Sequence, residues 1–286
     1  PRNTAERHNI DTGKTTAKLQ LKTLAKNCSK SPRPINMTDK IDNTQKLGNS
    51  HIAILYPGTN TQATDTGLGT IGRIDQADIP PGVTIKMHPH VNDEILSYFR
   101  SGKVQHTDSA GFTELIIPTK LMLMKAGKVF HHEEKILNTG QNMEGLQIFI
   151  RPAKKDATPT VSFRELTQMH SENTWRLLAA PTNDAELQFT SQTWVYDYKA
   201  VTAEAFGLPA YPKPNLTALL YVFQGSLFIN GTLPVKKGES VVIKDESPVL
   251  RSDDAAELVL LLTDENSAFY DGGMFSGNQR KSSNTP

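Results

Sequence analysis

The sequence predicts an all-β protein in which one barrel-like or sandwich-like architecture is used twice. Three observations carry that expectation. Short apolar or alternating runs recur from about residue 51, separated by turn chemistry, with no long helical pattern between them. A polar stretch from Pro152 to Pro159 divides these runs into two blocks. Within the first block, His88-Pro89-His90 is answered about forty residues later by His132-Glu133-Glu134, and each triplet offers two metal ligands at i, i+2.

The first fifty residues form a basic arm. They carry ten Lys/Arg and four Asp/Glu, against 21 and 26 in the rest of the chain. The whole chain is nearly neutral, with 31 basic and 30 acidic residues, which gives no electrostatic basis for binding nucleic acid directly or a membrane surface. Ala17 to Ala25 reads as a short basic amphipathic helix with Leu21, Leu24 and Ala25 on one side. The arm is expected to drape over the body; scarce acidic residues leave a targeting presequence as the other reading. Cys28 is the single cysteine, which excludes an intrachain disulfide and fits a reducing compartment. No apolar run approaches the roughly 18 residues of a membrane helix. The expectation is a soluble, cytoplasmic monomer.

Residues 51–155 form the first block. Ile71–Ile79, Glu94–Phe99, Lys103–Thr107, Glu114–Ile117 and Leu146–Ile150 read as strands, with Ser101-Gly102 and Ser109-Ala110-Gly111 as turns. Gly67-Leu68-Gly69-Thr70-Ile71-Gly72 fits GxGxxG but lacks a preceding hydrophobic strand and a following helix, so it reads as a glycine-rich loop entering the first strand. Residues 156–275 form the second block. There, Asn230-Gly231 between apolar flanks predicts a hairpin with a type I′ turn, which needs positive φ at both central positions. Leu258 to Leu262 is apolar throughout, as expected of a strand covered on both faces. Residues 276–286 read as a polar tail.

The chemistry concentrates in the histidines. Alternate residues of a strand share a face, so two adjacent strands would aim three imidazoles and a carboxylate at one point. Neutral imidazoles with a carboxylate suit first-row transition ions, whereas calcium wants mostly oxygen. Two alternatives stand beside His132 and Glu134 as the second pair. His131 and Glu133 have the same spacing on the opposite face, and Glu94 is a rival carboxylate near the first pair. His106, on a strand with Asp108, is a further candidate neighbour, while His8, His51 and His170 receive no functional reading. No histidine follows His170, so the second block cannot repeat a three-imidazole site and is expected to be a metal-free wall.

Gly82, five residues, His88-Pro89-His90, three residues and Glu94 are similar to the first motif of the cupin superfamily. More narrowly, HPHVNDEILSYFRSGKVQHTDSAG (88–111), MKAGKVFHHEE (124–134) and EGLQIFIRP (144–152) resemble the pirin family. VFQGSLFINGTLPVKKGESVVIKDE (222–246) resembles the C-terminal cupin of its bacterial members. The resemblance runs through residues 70–155, more loosely through 215–265, and does not reach the first fifty. It implies a bicupin fold and His88, His90, His132 and Glu134 as ligands of one divalent metal, iron first, with Mn, Ni, Co, Cu and Zn as alternatives. Glu94 becomes a nearby acid able to handle a proton with Glu134. The implied activity is that of a quercetin 2,3-dioxygenase, acting on a small aromatic substrate with dioxygen. The alternative within the family is a metal-loaded, redox-sensitive regulator that works through a protein partner. Pro118-Thr119-Lys120, Val129-Phe130 and Lys86-Met87 depart from the family pattern at a turn and at the mouth of the site, so they bear on substrate more than on metal.

Overall fold

A computed structural model describes residues 40–41, 47–56, 64–183 and 185–282. The Ala17–Ala25 helix and Cys28 lie outside the described residues. The chain forms β1 (Lys40–Ile41), β2 (Leu47–Gly48), β3 (Ile52–Tyr56), β4 (Ile71–Ile79), β5 (Thr84–His90), β6 (Glu94–Phe99) and β7 (Val104–Asp108). It continues with β8 (Thr113–Ile116), β9 (Lys120–Lys125), β10 (Phe130–Ile136), β11 (Met143–Ile150), β12 (Thr160–Glu165), β13 (Arg176–Ala179) and β14 (Thr193–Ala200). Last come β15 (Thr217–Gln224), β16 (Ser226–Ile229), β17 (Leu233–Lys236), β18 (Ser240–Ile243), β19 (Leu250–Arg251), β20 (Ala256–Thr263) and a four-residue helix α1 (Gln279–Ser282). Among the described residues no helix is long and apolar enough to cross a membrane.

The strands form two antiparallel pairs of sheets, one large and one small in each, which is the bicupin arrangement. The first pair joins a seven-stranded sheet, β12-β9-β6-β11-β4-β3-β2, to a four-stranded sheet, β5-β10-β7-β8. The second joins a six-stranded sheet, β1-β18-β15-β20-β14-β13, to a three-stranded sheet, β17-β16-β19. Two strands pair outside their own stretch of sequence: β12 of the second block pairs with β9 of the first, and β1 of the N-terminal arm pairs with β18 of the second block. The hairpin at Asn230-Gly231 joins β16 to β17, with φ of 52° and 69° at its two central residues.

The two large sheets pack face to face, and this explains why their central strands carry no polar face. In β6, Leu96 and Tyr98 point into the core shared with the second block, while Ile95 and Phe99 point into the first barrel. In β20, Val259 and Leu261 enter the shared core, while Leu258, Leu260 and Leu262 fill the second barrel. Period-two alternation is obeyed, but both faces are dry. The second barrel is filled by this leucine-rich cluster together with Trp194, Ile229 and Ile243.

The GxGxxG segment packs against protein. A Cβ on Gly67 would stand 2.4 Å from the Arg151 guanidinium, and one on Gly72 would stand 2.1 Å from the Ser276 carbonyl oxygen. Glycine is required there for close approach, with Ile71 opening β4. Ser276, in the stretch read as a polar tail, is fully buried.

Truncating a side chain of the shared core removes packing from both barrels at once. Leu219→Ala is expected to lower unfolding free energy by about 2–5 kcal/mol. Chemical denaturation followed by fluorescence and circular dichroism should show one earlier transition; separate melting of the two barrels would contradict a shared core.

Candidate metal centre

Three strands of the four-stranded sheet build the centre. β5 and β10 are antiparallel neighbours in which His88 lies opposite His132 and His90 opposite Phe130. On the other side of β10, His132 lies opposite Asp108 and Glu134 opposite His106 of β7. Residues opposite one another share a face, so His88, His90, His132, Glu134, His106 and Asp108 gather on one side of the sheet. β10 alternates as an amphipathic strand should: His132 and Glu134 are buried, whereas His131 is exposed. The register therefore turns His131 and Glu133 to the outer face, and an irregularity between His132 and Glu134 breaks the pairing with β5 there.

The three Nε2 atoms of His88, His90 and His132 form a nearly equilateral triangle with edges of 3.1, 3.0 and 3.0 Å. An imidazole nitrogen bonds a zinc-sized ion at about 2.0–2.1 Å, so ligands at right angles stand about 3.0 Å apart and ligands at the tetrahedral angle about 3.4 Å. The triangle has the edge length of one face of an octahedron. With His88 and His132 both protonated on Nδ1, their Nε2 lone pairs converge at 3.0 Å, an arrangement that a cation would stabilise.

The outer ring atoms fix that orientation. The Nδ1–H of His88 donates to the Lys86 carbonyl at 2.9 Å, which leaves its Nε2 lone pair free to coordinate. His132 is held by a relay. Asp108, an acceptor, takes the Nε2–H of His106 at 2.7 Å. The unprotonated Nδ1 of His106 then accepts from His132 Nδ1–H at 3.4 Å. Asp108 is itself fixed by the backbone amides of Ala110 and Phe112. Burial pushes His132 down to about 2, aided by the neighbouring histidines His90, His88 and His106, and burial also lowers His88. Both rings are neutral near pH 7, the form that binds metal.

Glu134 is on the right face but stands behind the triangle. Its Oε1 is 4.0 Å from His132 Nδ1, and both oxygens accept from Gln147 Nε2 at 3.2 Å. It thus groups with His106 and His132, while His88, His90 and His132 form their own cluster. Burial raises its carboxyl to about 7 against the lowering effect of the Gln147 bond.

Glu94 is not brought to the histidines. It shares the face of Leu96 and Tyr98, which points into the core between the sheets, and its oxygens accept from the Thr190 backbone amide and hydroxyl of the second block. Burial raises its carboxyl too, with the Thr190 bonds opposing. Gln147, Phe149 and Phe275 are not among the expected site residues, and Asp108 enters only as a strand neighbour of His106. Only Asp108, two residues from His106 on the same strand, carried a signal in its spacing.

A buried face of three converging histidines with a carboxylate beside it, set in the first of two cupin barrels, defines a metal-binding bicupin. The model of the pirin family matches residues 39–150, which span the first barrel and its histidines. It is 24% identical over 195 residues to a quercetin 2,3-dioxygenase of Escherichia coli K12, covering 68% of this chain and 82% of that protein. It is also 24% identical over 211 residues to a pirin-like protein of Caulobacter vibrioides, covering 65% of this chain and 68% of that one. Among solved structures, YhhW from Escherichia coli superposes with a TM-score of 0.68 at 20% identity, over 79% of this chain and 97% of its own. The same bacterial pirin in complex with nickel(II) gives 0.67, over 78% and 97%.

Two substitutions separate the metal face from the core face. His106→Phe removes the acceptor for His132 Nδ1–H and is expected to weaken metal binding about tenfold to a hundredfold, measured by chelator competition. Glu94→Gln is expected to leave metal stoichiometry unchanged; loss of metal in that variant would return Glu94 to the centre.

Proposed function

We propose that the protein is a metal-dependent dioxygenase of the quercetin 2,3-dioxygenase type, with iron as its ion and a flavonol or similar enolic aromatic compound as substrate. The observation that carries this reading is the triangle of three Nε2 atoms with edges near 3.0 Å. Names carried by relatives support the reaction class, and the donor set suits first-row transition ions. His88, His90 and His132 would hold the ion, with Glu134 turning away from Gln147 to complete the set. A bound ion would supply Lewis acidity toward an enolic oxygen and a redox partner for dioxygen.

The chain's own groups supply the rest. Glu134 is the buried carboxyl on the histidine face, and it would take the proton of an enolic hydroxyl. The proton acceptor is accordingly assigned to Glu134, with Glu94 serving as a strut between the barrels. Phe149 and Phe275 stand 6.1 and 5.1 Å from the His90 ring, centroid to centroid, and provide an aromatic wall on that side. The second barrel serves as a metal-free wall.

Metal analysis of the purified chain, paired with oxygen uptake on quercetin and related enediols, tests this. Near one equivalent of metal, lost in a His88→Ala/His132→Ala double variant, together with oxygen consumption is the expected result. Stoichiometric metal without oxygen uptake on any such substrate would favour the regulatory alternative. Metal content unaffected by the double substitution would sink the centre itself.

A further inference from the structure

His90 differs from the other two histidines of the triangle. Its Nδ1 is buried and has no hydrogen-bond partner. The polar atom facing it is Asp93 Oδ2, 3.6 Å away, on a side chain with no exposure. Asp93 is held by a segment that follows the last strand of the second block. Its oxygens accept from the backbone amide of Phe275 at 3.1 Å, the amide of Ser276 at 2.8 Å and the hydroxyl of Ser276 at 2.7 Å. The same segment is pinned by Met274 N–H donating to the Val91 carbonyl at 2.8 Å. Its Phe275 ring lies 5.1 Å from the His90 ring. A Cβ on Gly273 would stand 2.5 Å from the Asn92 carbonyl oxygen and 2.7 Å from Asp93 Oδ1, so the approach is close along its length.

We propose that Asp93 is the positioning residue for the metal ligand His90, and that Met274–Ser276 of the C-terminal segment hold it in place, so that the end of the second block completes the metal site of the first. The physical reason is a division of labour within one carboxylate. Oδ1 accepts from Ser276, the Phe275 amide is shared by both oxygens, and this grip aims Oδ2 at His90 Nδ1. A carboxylate there selects the Nδ1–H form of the ring and leaves Nε2 free to coordinate. Among the described residues His90 is the ion-pairing partner of this buried carboxylate, so a cation bound at Nε2 also offsets its charge.

Asp93→Asn tests the proposal with an isosteric change. The amide oxygen can still accept from Ser276, while its NH2 faces His90 and favours the tautomer protonated on Nε2, which cannot bind metal. Cobalt(II) is the probe, followed by its visible absorption and by chelator competition on the full chain. The expected result is binding weakened about tenfold to a hundredfold in Asp93→Asn and by a smaller factor in Ser276→Ala. Melting of the metal-free proteins should be unchanged, and nitrogen-15 spectra should show His90 moving from the Nδ1–H to the Nε2–H form in Asp93→Asn. Cobalt affinity within twofold of wild type in Asp93→Asn, or a loss that only follows a fall in metal-free melting temperature, would overturn the proposal. It rests on the metal-centre reading but not on turnover. Failure of the wild-type chain to bind cobalt would remove both, whereas wild-type binding with an unaffected variant removes this inference alone.

Discussion

Leu96 and Tyr98 of β6 meet Leu219 and Tyr221 of β15 and Val259 and Leu261 of β20 between the two large sheets, and this dry contact constrains the rest of the molecule. It commits the inner face of each large sheet to the partner barrel. The opposite face of the first large sheet and the facing four-stranded sheet are left to build a site. It also captures Glu94, which alternation places on the core side with Thr190 as its hydrogen-bond donor. A carboxylate in an apolar seam is costly unless it is hydrogen-bonded, and Thr190 supplies both a hydroxyl and an amide.

The small sheet is built differently. β10 alternates buried and less buried residues, and its register with β5 and β7 lines up histidines across three strands. Because these histidines come from strands rather than loops, the hydrogen-bond ladder fixes their separation. What remains adjustable is the rotation of each ring, and the outer nitrogens govern that. The Lys86 carbonyl, the His106–Asp108 pair and the Asp93 carboxylate face the three rings in turn. The Lys86 carbonyl is on β5 itself and Asp93 follows that strand closely, whereas the His106–Asp108 pair comes from β7, so ring orientation is set partly locally and partly by the assembled sheet.

The clustering of the candidate residues was legible in part because it obeys a local rule. Spacing of i, i+2 puts His88 with His90 and His132 with Glu134 on any strand, whatever surrounds it. The choice of His132 over His131 needed burial and register, since both readings satisfy the same spacing. Glu94 was harder to place for a related reason: EILSYF is buried on both faces, so its pattern carries no polarity to tell the histidine side from the core side. Gln147 and Phe275 had no signal at all, because they reach the site from a central strand and from a segment beyond the last strand.

The sequence by itself determined the all-β class, the use of one architecture twice, the hairpin at Asn230-Gly231 and the presence of a histidine-rich centre in the first block. These follow from alternation, turn chemistry and composition, which act over a few residues. The tertiary structure alone decided that the three Nε2 atoms close to about 3 Å, that Glu134 rests behind His132 on Gln147, that β12 pairs into the first block and that β1 of the arm pairs into the second. It alone brought Asp93 to Ser276. Those outcomes depend on non-local pairing and on which faces are buried against each other, and no short window of sequence encodes either.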